Sequence, residues 1–350
     1  MSKLAKIYDF GAQKLNAPAA LKIVAFENPL EALSKLLTNE LAQTEIEISS
    51  HMVSAVGLIP DVAHHLVDAG GKRLRPLLTL AAAKICGNVT PAAIKLSAAV
   101  EFIHSATLLH DDVVDGSGLR RGQRTANLIW GDKASVLVGD FLFARAFNMM
   151  VATGSLRILD ILAATSSTIA EGEVLQLAST SRGDSGRETY YKIISAKTAA
   201  LFAAAAQSGA ICAGANEELA AAFYQYGHQL GMAFQLSDDA LDYGGLTQEL
   251  GKRVGDDFRE GKPTLPMIVA IERASDTEYS FWQMVLARKH EDEDLQTAMQ
   301  YVRNCGAIEA TLKEATERAN SAKMALNKVA DSDIKRCLIE LADFVVNRVS

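Results

Sequence analysis

The sequence predicts an all-α fold, organised as a single-domain helical bundle around two central helices. No proline occurs between Pro91 and Pro263, so helices can run unbroken through the middle of the chain. Alanine is abundant, and no stretch shows the alternating, β-branched pattern that is typical of strands. Two long apolar segments also end in the same aspartate-rich pattern, which indicates a pair of equivalent helices.

The first central helix is predicted to begin at Thr90-Pro91, where threonine caps the helix and proline takes the first helical position. Its apolar segment runs from Ala92 to Asp115 and stops at Gly116-Ser117-Gly118. A helix of that length spans about 37 Å. Because the segment is apolar on nearly all sides, we expect it to be buried at the centre of the bundle.

The second central helix is predicted to begin at Asn216, with Glu217 and Glu218 in its first turn, and to end at Tyr243-Gly244-Gly245. The chain shows no linker, so residues 41–350 are predicted to form one main domain after a partly helical N-terminal extension, residues 1–40. Residues 183–186, Gly-Asp-Ser-Gly, form a predicted loop. Further helices are predicted at 131–152, 155–180, 188–213, 264–289 and 292–329.

Composition narrows the classes of function. Hydrophobic residues make up 49% of the chain and the net charge is −7, which fits a soluble globular protein and argues against a nucleic-acid partner. The four cysteines are widely spaced, so neither a zinc site nor a disulfide framework is indicated. We find no signal-peptide core and no uninterrupted apolar run of transmembrane length. The sequence therefore predicts a cytoplasmic protein, with at most peripheral membrane contact.

The chemistry is carried by two aspartate clusters, each followed by glycine. The first cluster is Asp111, Asp112 and Asp115, and the second is Asp238, Asp239 and Asp242. Residues four apart share one face of a helix, and two carboxylates about 6 Å apart repel by roughly 3 kcal/mol unless a cation bridges them. Clusters made only of carboxylates suit Mg²⁺, which typically combines one or two carboxylates with waters and phosphates.

Basic residues near the clusters indicate the rest of the ligand. Gly70-Gly71-Lys72-Arg73-Leu74-Arg75-Pro76 places three cations after flexible glycines, and Arg120-Arg121 follows the first cluster. Lys197 lies in an alanine-rich helix, where its charge is costly unless it is paired. Residues 251–263, with Lys252 and Lys262, form either a lid or a plain surface loop. Cations around an apolar interior indicate a diphosphate with a hydrocarbon tail.

These motifs together resemble those of the trans-isoprenyl diphosphate synthase (polyprenyl synthetase) family, over about residues 65–270. The segments occur in the order typical of that family: Gly70 to Pro76, Asp111 to Asp115, Arg120 to Gly122, Lys197-Thr198, Phe234 to Asp242 and Gly261 to Pro266. The resemblance implies an isoprenoid-synthase-type bundle and a homodimer. It also implies an enzyme that condenses isopentenyl diphosphate repeatedly onto an allylic diphosphate.

The resemblance further implies a role for individual residues. Both aspartate clusters would bind two or three Mg²⁺ ions, for which Mn²⁺ can substitute, and the catalytic set would be Asp111, Asp112, Asp115, Lys197, Asp238 and Asp239. The allylic diphosphate would be held by Arg120, Lys197, Thr198, Gln235, Lys252 and Lys262. Isopentenyl diphosphate would be held by Lys72, Arg75, His104 and Arg121. No protein nucleophile is needed, and the departing diphosphate, a nearby hydroxyl or Gln235 would take the proton.

Product length in this family depends on the residues just before the first cluster. Ala106 and Thr107 are small here, so a growing tail could pass toward Ile103 and Phe102, one turn deeper. The stretches 102–110, 128–131 and 138–142 resemble bacterial octaprenyl and decaprenyl diphosphate synthases of ubiquinone biosynthesis. We therefore predict a C40 to C50 product, with decaprenyl slightly favoured, and keep a C20 to C35 product as the alternative.

Three other functions remain open on the sequence. Glu101 and His104 match one half of a ferritin-like di-iron motif, although such sites need a second copy. A terpene cyclase shares the ionisation chemistry, but that family usually replaces the second cluster. A non-catalytic subunit of a heteromeric synthase usually loses one cluster. Since this chain keeps both clusters together with Lys72 and Arg75, its motifs favour elongation.

Overall fold

The computed structural model describes residues 28–244 and 255–347, and these form an all-α bundle. The first half contains α1 (Pro29–Leu36), α2 (Thr38–His51), α3 (Leu58–Asp68), α4 (Leu74–Cys86), α5 (Pro91–Val114), α6 (Ala126–Trp130), α7 (Asp132–Ala152) and α8 (Leu156–Arg182). The second half contains α9 (Arg187–Ile194), α10 (Ala200–Cys212), α11 (Glu217–Gly244), α12 (Asp256–Arg259), α13 (Leu265–Glu272), α14 (Asp276–Leu286), α15 (Leu295–Asn304), α16 (Ala307–Ala325) and α17 (Asp333–Asn347). The predicted fold class is confirmed.

The two predicted central helices, α5 and α11, occupy the centre of the bundle. The Thr90 side chain accepts a hydrogen bond from the Ala93 amide, and Pro91 is the first residue of α5. Asn216 caps α11 by accepting from the Leu219 amide. Helix α5 packs against α7, whereas α11 lies between α10 and α16. Each helix carries its aspartate cluster at its C-terminal end.

Several predicted boundaries are wrong. The segment 188–213 is interrupted by a π turn, Ser195–Ala199. The segment 264–289 is two helices, because Ser275 and Glu278 form a capping box that starts α14. The segment 292–329 begins with a short 3₁₀ turn and breaks at Gly306, whose positive φ ends α15 and precedes α16.

One short hairpin, absent from the prediction, follows the first cluster. Strand β1 (Leu119–Arg120) pairs antiparallel with β2 (Gln123–Arg124), with Leu119 opposite Arg124. Each strand has only two residues, so no alternating pattern could reveal it. Arg121 and Gly122 form the turn, both with positive φ, and the hairpin places Arg120 beside the end of α5.

The predicted division at residue 40 falls inside α2. Leu30, Leu33 and Leu37 are buried in one core cluster with residues of α4, α11 and α17, so residues 28–40 pack with the main bundle. Residues 1–27, the rest of the predicted extension, lie outside the described residues. The four cysteines, Cys86, Cys212, Cys305 and Cys337, are free thiols.

Two helices are long and apolar enough to span a membrane by length and composition, Pro91–Val114 and Asp132–Ala152. The apolar window of Pro91–Val114 is 72% buried inside the protein, as expected for a core helix, whereas that of Asp132–Ala152 is 39% buried. Helix α7 therefore leaves part of its apolar surface exposed.

The contact between α4 and α10 gives a prediction for stability. A Cβ atom on Gly209 would lie 2.1 Å from the Thr79 carbonyl oxygen, so the two helix backbones touch at this point. Gly209→Ala should lower the free energy of unfolding by about 1–3 kcal/mol or more, because the helices must separate. Chemical denaturation measures this directly. An unchanged unfolding midpoint would contradict the close packing.

Candidate active site

The first aspartate cluster occupies the last turn of α5. Asp111 and Asp112 lie within the helix, and Asp115 is its C-cap. The second cluster lies in the last two turns of α11. Each cluster therefore lies at the C-terminal end of its helix, where the backbone dipole is negative and a cation is favoured.

A segment after α11 joins the two clusters. The Asp242 carboxylate accepts hydrogen bonds from the backbone amides of Gly255, Asp256 and Asp257, at 3.1, 3.2 and 3.1 Å. Farther along, Lys262 Nζ lies 2.7 Å from Asp115 Oδ2 and 2.6 Å from Glu260 Oε2. Residues 255–262 therefore contact both clusters, one at Asp242 and the other at Asp115. Lys252, also predicted here, lies outside the described residues.

Asp112 differs from its neighbours because its carboxylate already has a cationic partner. Asp112 is 1% exposed, and its Oδ1 accepts from Arg120 Nε at 2.9 Å and Nη2 at 2.6 Å. The predicted phosphate ligand Arg120 is thus paired with a predicted metal ligand. This ion pair fixes the hairpin β1–β2 against the end of α5.

Asp111 is the carboxylate best suited to a cation. Burial raises its pKa to about 7, the Lys197 and Arg120 charges act in the opposite direction, and Glu173 and Asp115 raise it further. The raised pKa therefore reflects mainly the cost of burying the Asp111 charge. Binding of a divalent cation would relieve this cost.

Asp239 lies in a chain of hydrogen bonds that starts at the π turn. Thr198 donates to Gln235 Oε1 at 2.8 Å, Gln235 Nε2 donates to Asp239 Oδ1 at 2.8 Å, and Tyr190 donates to Asp239 Oδ2 at 2.5 Å. Burial raises the pKa of Asp239 to about 7, although both donors oppose that shift. Tyr190 was not predicted. The only sign of this role in the sequence is the position of Tyr190, two helical turns before Lys197.

Lys197 has two partners on α8 that the sequence analysis also missed. Its Nζ lies 2.6 Å from Glu173 Oε2 and donates to Gln176 Oε1 at 2.8 Å. The π turn thus supplies the charge next to Asp111, while the following residue, Thr198, faces α11. The prediction that a lysine in this apolar helix must be paired is confirmed.

One arginine of the segment before α4 pairs with the buried Glu101, and it was not among the predicted site residues. Arg73, in the left-handed region at φ 45°, lies 3.0 Å from Glu101 and 2.7 Å from Glu45. Because Glu101 pairs with an arginine, its presence in one half of a di-iron motif is explained without iron. Lys72 Nζ lies 6.0 Å from the ring centroid of Phe344 in α17.

Arg75 and His104 are partly buried. The Arg75 guanidinium stacks on Phe202 at 4.6 Å, and burial lowers its pKa to about 10, with opposing contributions from Glu101 and Asp238. Burial also holds the pKa of His104 well below its usual value, and Arg75 and Arg121 lower it further. His104 is therefore a neutral hydrogen-bonding group beside arginines, suited to a phosphate oxygen.

Ala106 and Thr107 lie one turn below Asp111. Ala106 is fully buried, in one cluster with Phe102, Ile103 and residues of α7, α8 and α10. The Thr107 hydroxyl donates to the His104 carbonyl oxygen at 2.8 Å, within the same helix. The two predicted chain-length positions therefore lie between the first aspartate cluster and the apolar core.

The donor set fits a metal that is shared with a substrate. Across residues 28–244 and 255–347, no three His, Cys, Asp or Glu side chains are grouped closely enough to form a complete cage. Mg²⁺ typically takes only one or two protein carboxylates and completes its octahedron with waters and phosphate oxygens. A cation that is also bound by a diphosphate would not need such a cage from the protein.

Comparison with known proteins agrees with this geometry. The chain is 41% identical to octaprenyl diphosphate synthase of Escherichia coli strain K12 over 319 residues, covering 91% of this chain and 99% of the relative. Its fold resembles polyprenyl synthase from Caulobacter crescentus, solved with calcium and isoprenyl diphosphate, with a TM-score of 0.89 and 51% identity over 92% and 98% of the two chains. For decaprenyl diphosphate synthase from Rhodobacter capsulatus, the TM-score is 0.88 at 48% identity, over 92% and 100%.

A family model described as polyprenyl synthetase matches residues 56–302. That span includes both aspartate clusters, the arginine-rich segment before α4, the π turn and Lys262. With this match and the relatives above, the chain belongs to the polyprenyl synthetase family, and the predicted prenyl-transferring enzyme is confirmed.

Proposed function

We propose that this enzyme is a Mg²⁺-dependent synthase that condenses isopentenyl diphosphate repeatedly onto an allylic diphosphate, giving an all-trans C40 to C50 product. The observation that carries the proposal is that one segment, residues 255–262, contacts both aspartate clusters, at Asp242 and at Asp115, while Ala106 lies buried one turn below the first cluster. The aspartate clusters would bind the diphosphate head of the substrate, and the small Ala106 side chain would leave room for its hydrocarbon tail.

The allylic diphosphate is held by the cations around the clusters. Asp111, Asp112, Asp115, Asp238, Asp239 and Asp242 are the proposed metal ligands, with Asp112 and Asp242 also bonded within the protein. Two or three Mg²⁺ ions, which Mn²⁺ can replace, stabilise the negative charge that develops on the leaving diphosphate. Lys197, Arg120, Thr198, Gln235, Lys252 and Lys262 add positive charge and hydrogen bonds.

Isopentenyl diphosphate is held on the other side by Lys72, Arg75, His104 and Arg121. Its double bond attacks the allylic carbocation, and a proton is then lost. Gln235 is a poor proton acceptor here, because its carbonyl oxygen already accepts from Thr198 and its amide donates to Asp239. We therefore assign the proton to the departing diphosphate, with the Thr198 hydroxyl beside it.

The length of the product follows from the core below Asp111. Ala106 offers no large side chain to close that path, and the named products of two similar proteins, octaprenyl and decaprenyl diphosphate, support a C40 to C50 range. We place such a product in the ubiquinone side chain. A C20 to C35 product would indicate that Phe102, one turn deeper, forms the floor.

We also propose that the enzyme is a cytoplasmic homodimer, which contacts membranes at most peripherally. Four apolar side chains of α7 form an exposed stripe on one face: Val136, Leu137, Phe147 and Val151 are 37%, 66%, 39% and 62% exposed. Sedimentation should show a dimer, and Leu137→Asp together with Val151→Asp should give monomers. An unchanged dimer in that variant would place the interface elsewhere.

The activity is tested with purified protein, Mg²⁺, labelled isopentenyl diphosphate and farnesyl or geranylgeranyl diphosphate. We expect transfer of label into a butanol-extractable product, and loss of that transfer with a chelator. A protein that elongates none of these primers would contradict the proposal. Cyclisation of the primer without isopentenyl diphosphate would instead identify a terpene cyclase.

A further inference from the structure

The π turn Ser195–Ala199 lies between two helices that both carry glycine where they approach it most closely. A Cβ on Gly172 of α8 would lie 2.6 Å from Ala196 Cβ and 3.3 Å from Lys197 Cγ. A Cβ on Gly231 of α11 would lie 2.6 Å from Ala199 Cα. Two such atoms cannot approach below 3.0 Å, so any larger residue at either position must move the turn.

These two contacts determine where the functional side chains reach. The aliphatic part of Lys197 crosses Gly172, and its Nζ then meets Glu173 and Gln176, one and four residues further along α8. On the other side, Thr198 donates to Gln235, which lies one turn after Gly231 in α11. Gly172 therefore lies within about one turn of the residues that bind Lys197. Gly231 likewise lies one turn before Gln235, the partner of Thr198.

The π turn presents two consecutive residues to two different helices. The Ala200 amide bonds to the Ser195 carbonyl, five residues back, so the turn holds one residue more than an α-helical turn. Within this turn Lys197 faces α8 and Thr198 faces α11. A shift of the turn away from either helix would separate one of these side chains from its partner.

We propose that Gly172 and Gly231 are positioning residues, which clamp the π turn so that Lys197 and Thr198 point together at the diphosphate. The identity of that bound group rests on the proposed function, whereas the clamp itself rests on the contacts above. Neither glycine touches the substrate, and both act through the turn.

The test is Gly172→Ala, combined with Ala196→Gly in the same chain. The added methyl of the first variant meets the Ala196 methyl, and the second substitution removes that methyl. We expect Gly172→Ala to weaken the Mg²⁺-dependent binding of inorganic diphosphate, measured by calorimetry, by about tenfold or more. The double variant should recover to within about threefold of the wild type. In turnover, kcat/KM for the allylic primer should fall, while KM for isopentenyl diphosphate stays unchanged.

Gly209→Ala is the matched control. Its added Cβ also meets a helix backbone, at 2.1 Å, but between α4 and α10. It should lower thermal stability without changing diphosphate affinity. Should Gly172→Ala fail to fold, Ala196→Val enlarges the same contact from the side of the turn and should weaken binding in the same direction.

Wild-type diphosphate affinity in Gly172→Ala would overturn the clamp, as would a folded double variant that binds as weakly as the single one. Because binding of inorganic diphosphate does not require elongation, these outcomes stay separate from the test of the proposed function. A wild-type protein that binds Mg²⁺-diphosphate but elongates no primer would refute the function and leave the clamp to be decided by the variants.

Discussion

Asp111→Asn should reduce kcat/KM for elongation by about 1,000-fold, because it removes one carboxylate that holds the cation opposite the leaving diphosphate. Asparagine has nearly the same size and shape as aspartate and can still form hydrogen bonds. It also removes a buried carboxyl whose pKa is raised to about 7, so the metal-free variant should be at least as stable as the wild type at pH 8. Loss of activity would then be separated from loss of folding. Steady-state kinetics over a range of Mg²⁺ concentrations measures the first effect, and thermal unfolding without metal measures the second.

The sign of the stability effect follows from the direction of the pKa shift. A carboxyl whose pKa is higher in the folded protein binds its proton more tightly there, so it favours folding most at low pH. As the pH rises from the unfolded value of about 4 through 7, that contribution is lost. Asparagine does not titrate, and the advantage of the variant should therefore grow over this window.

Asp160→Asn, an exposed position on α8, is the matched control for Asp111→Asn. It makes the same chemical change away from both clusters and should leave kcat/KM within about twofold of the wild type. Activity of Asp111→Asn within threefold of the wild type, at limiting Mg²⁺, would contradict the assignment of Asp111 to the metal site.

Ala106→Tyr should shorten the product sharply, to C25 or less. The side chain of residue 106 is fully buried one turn below Asp111, so a phenol ring there would fill the path that the tail must take. Overpacking should cost about 1–3 kcal/mol of folding free energy, which thermal unfolding can follow. Mass spectrometry of the dephosphorylated products gives the chain length.

Ala106→Gly is the control for size, because it keeps the position small. It should still give long products, although it removes a good helix former. Unchanged chain lengths in Ala106→Tyr, with a folded protein, would show that the tail takes another route through the core.

The fold could be predicted from local signals where these were strong. The starts of α5 and α11 were predicted by Thr90-Pro91 and Asn216. Their ends were predicted by the glycines after Asp115 and Tyr243. The capping box at Ser275 was equally local, and was overlooked within a long apolar pattern. The π turn could not be predicted in this way, because its extra residue leaves no signature until the neighbouring helices are in place.

The site was predictable in its residue types and much less in its pairings. Lysines, arginines and aspartates at the motif positions indicated metal and diphosphate, but the sequence did not show that Lys262 would reach Asp115 across 147 positions. Nor did it show that Tyr190 would bond Asp239, or that Gly172 would open α8 to Lys197. Helix packing determines which of these residues meet. Their roles therefore follow from their buried contacts and not from their spacing in the sequence.

Product size is the measurement that tests the central claim most directly. The purified enzyme is incubated with Mg²⁺, excess isopentenyl diphosphate and farnesyl diphosphate, and the dephosphorylated products are weighed by mass spectrometry. The two aspartate clusters, with the small Ala106 one turn below the first, predict all-trans products centred on C40 to C50. Products that stop at C20 or below, or the absence of any elongated product, would contradict the account.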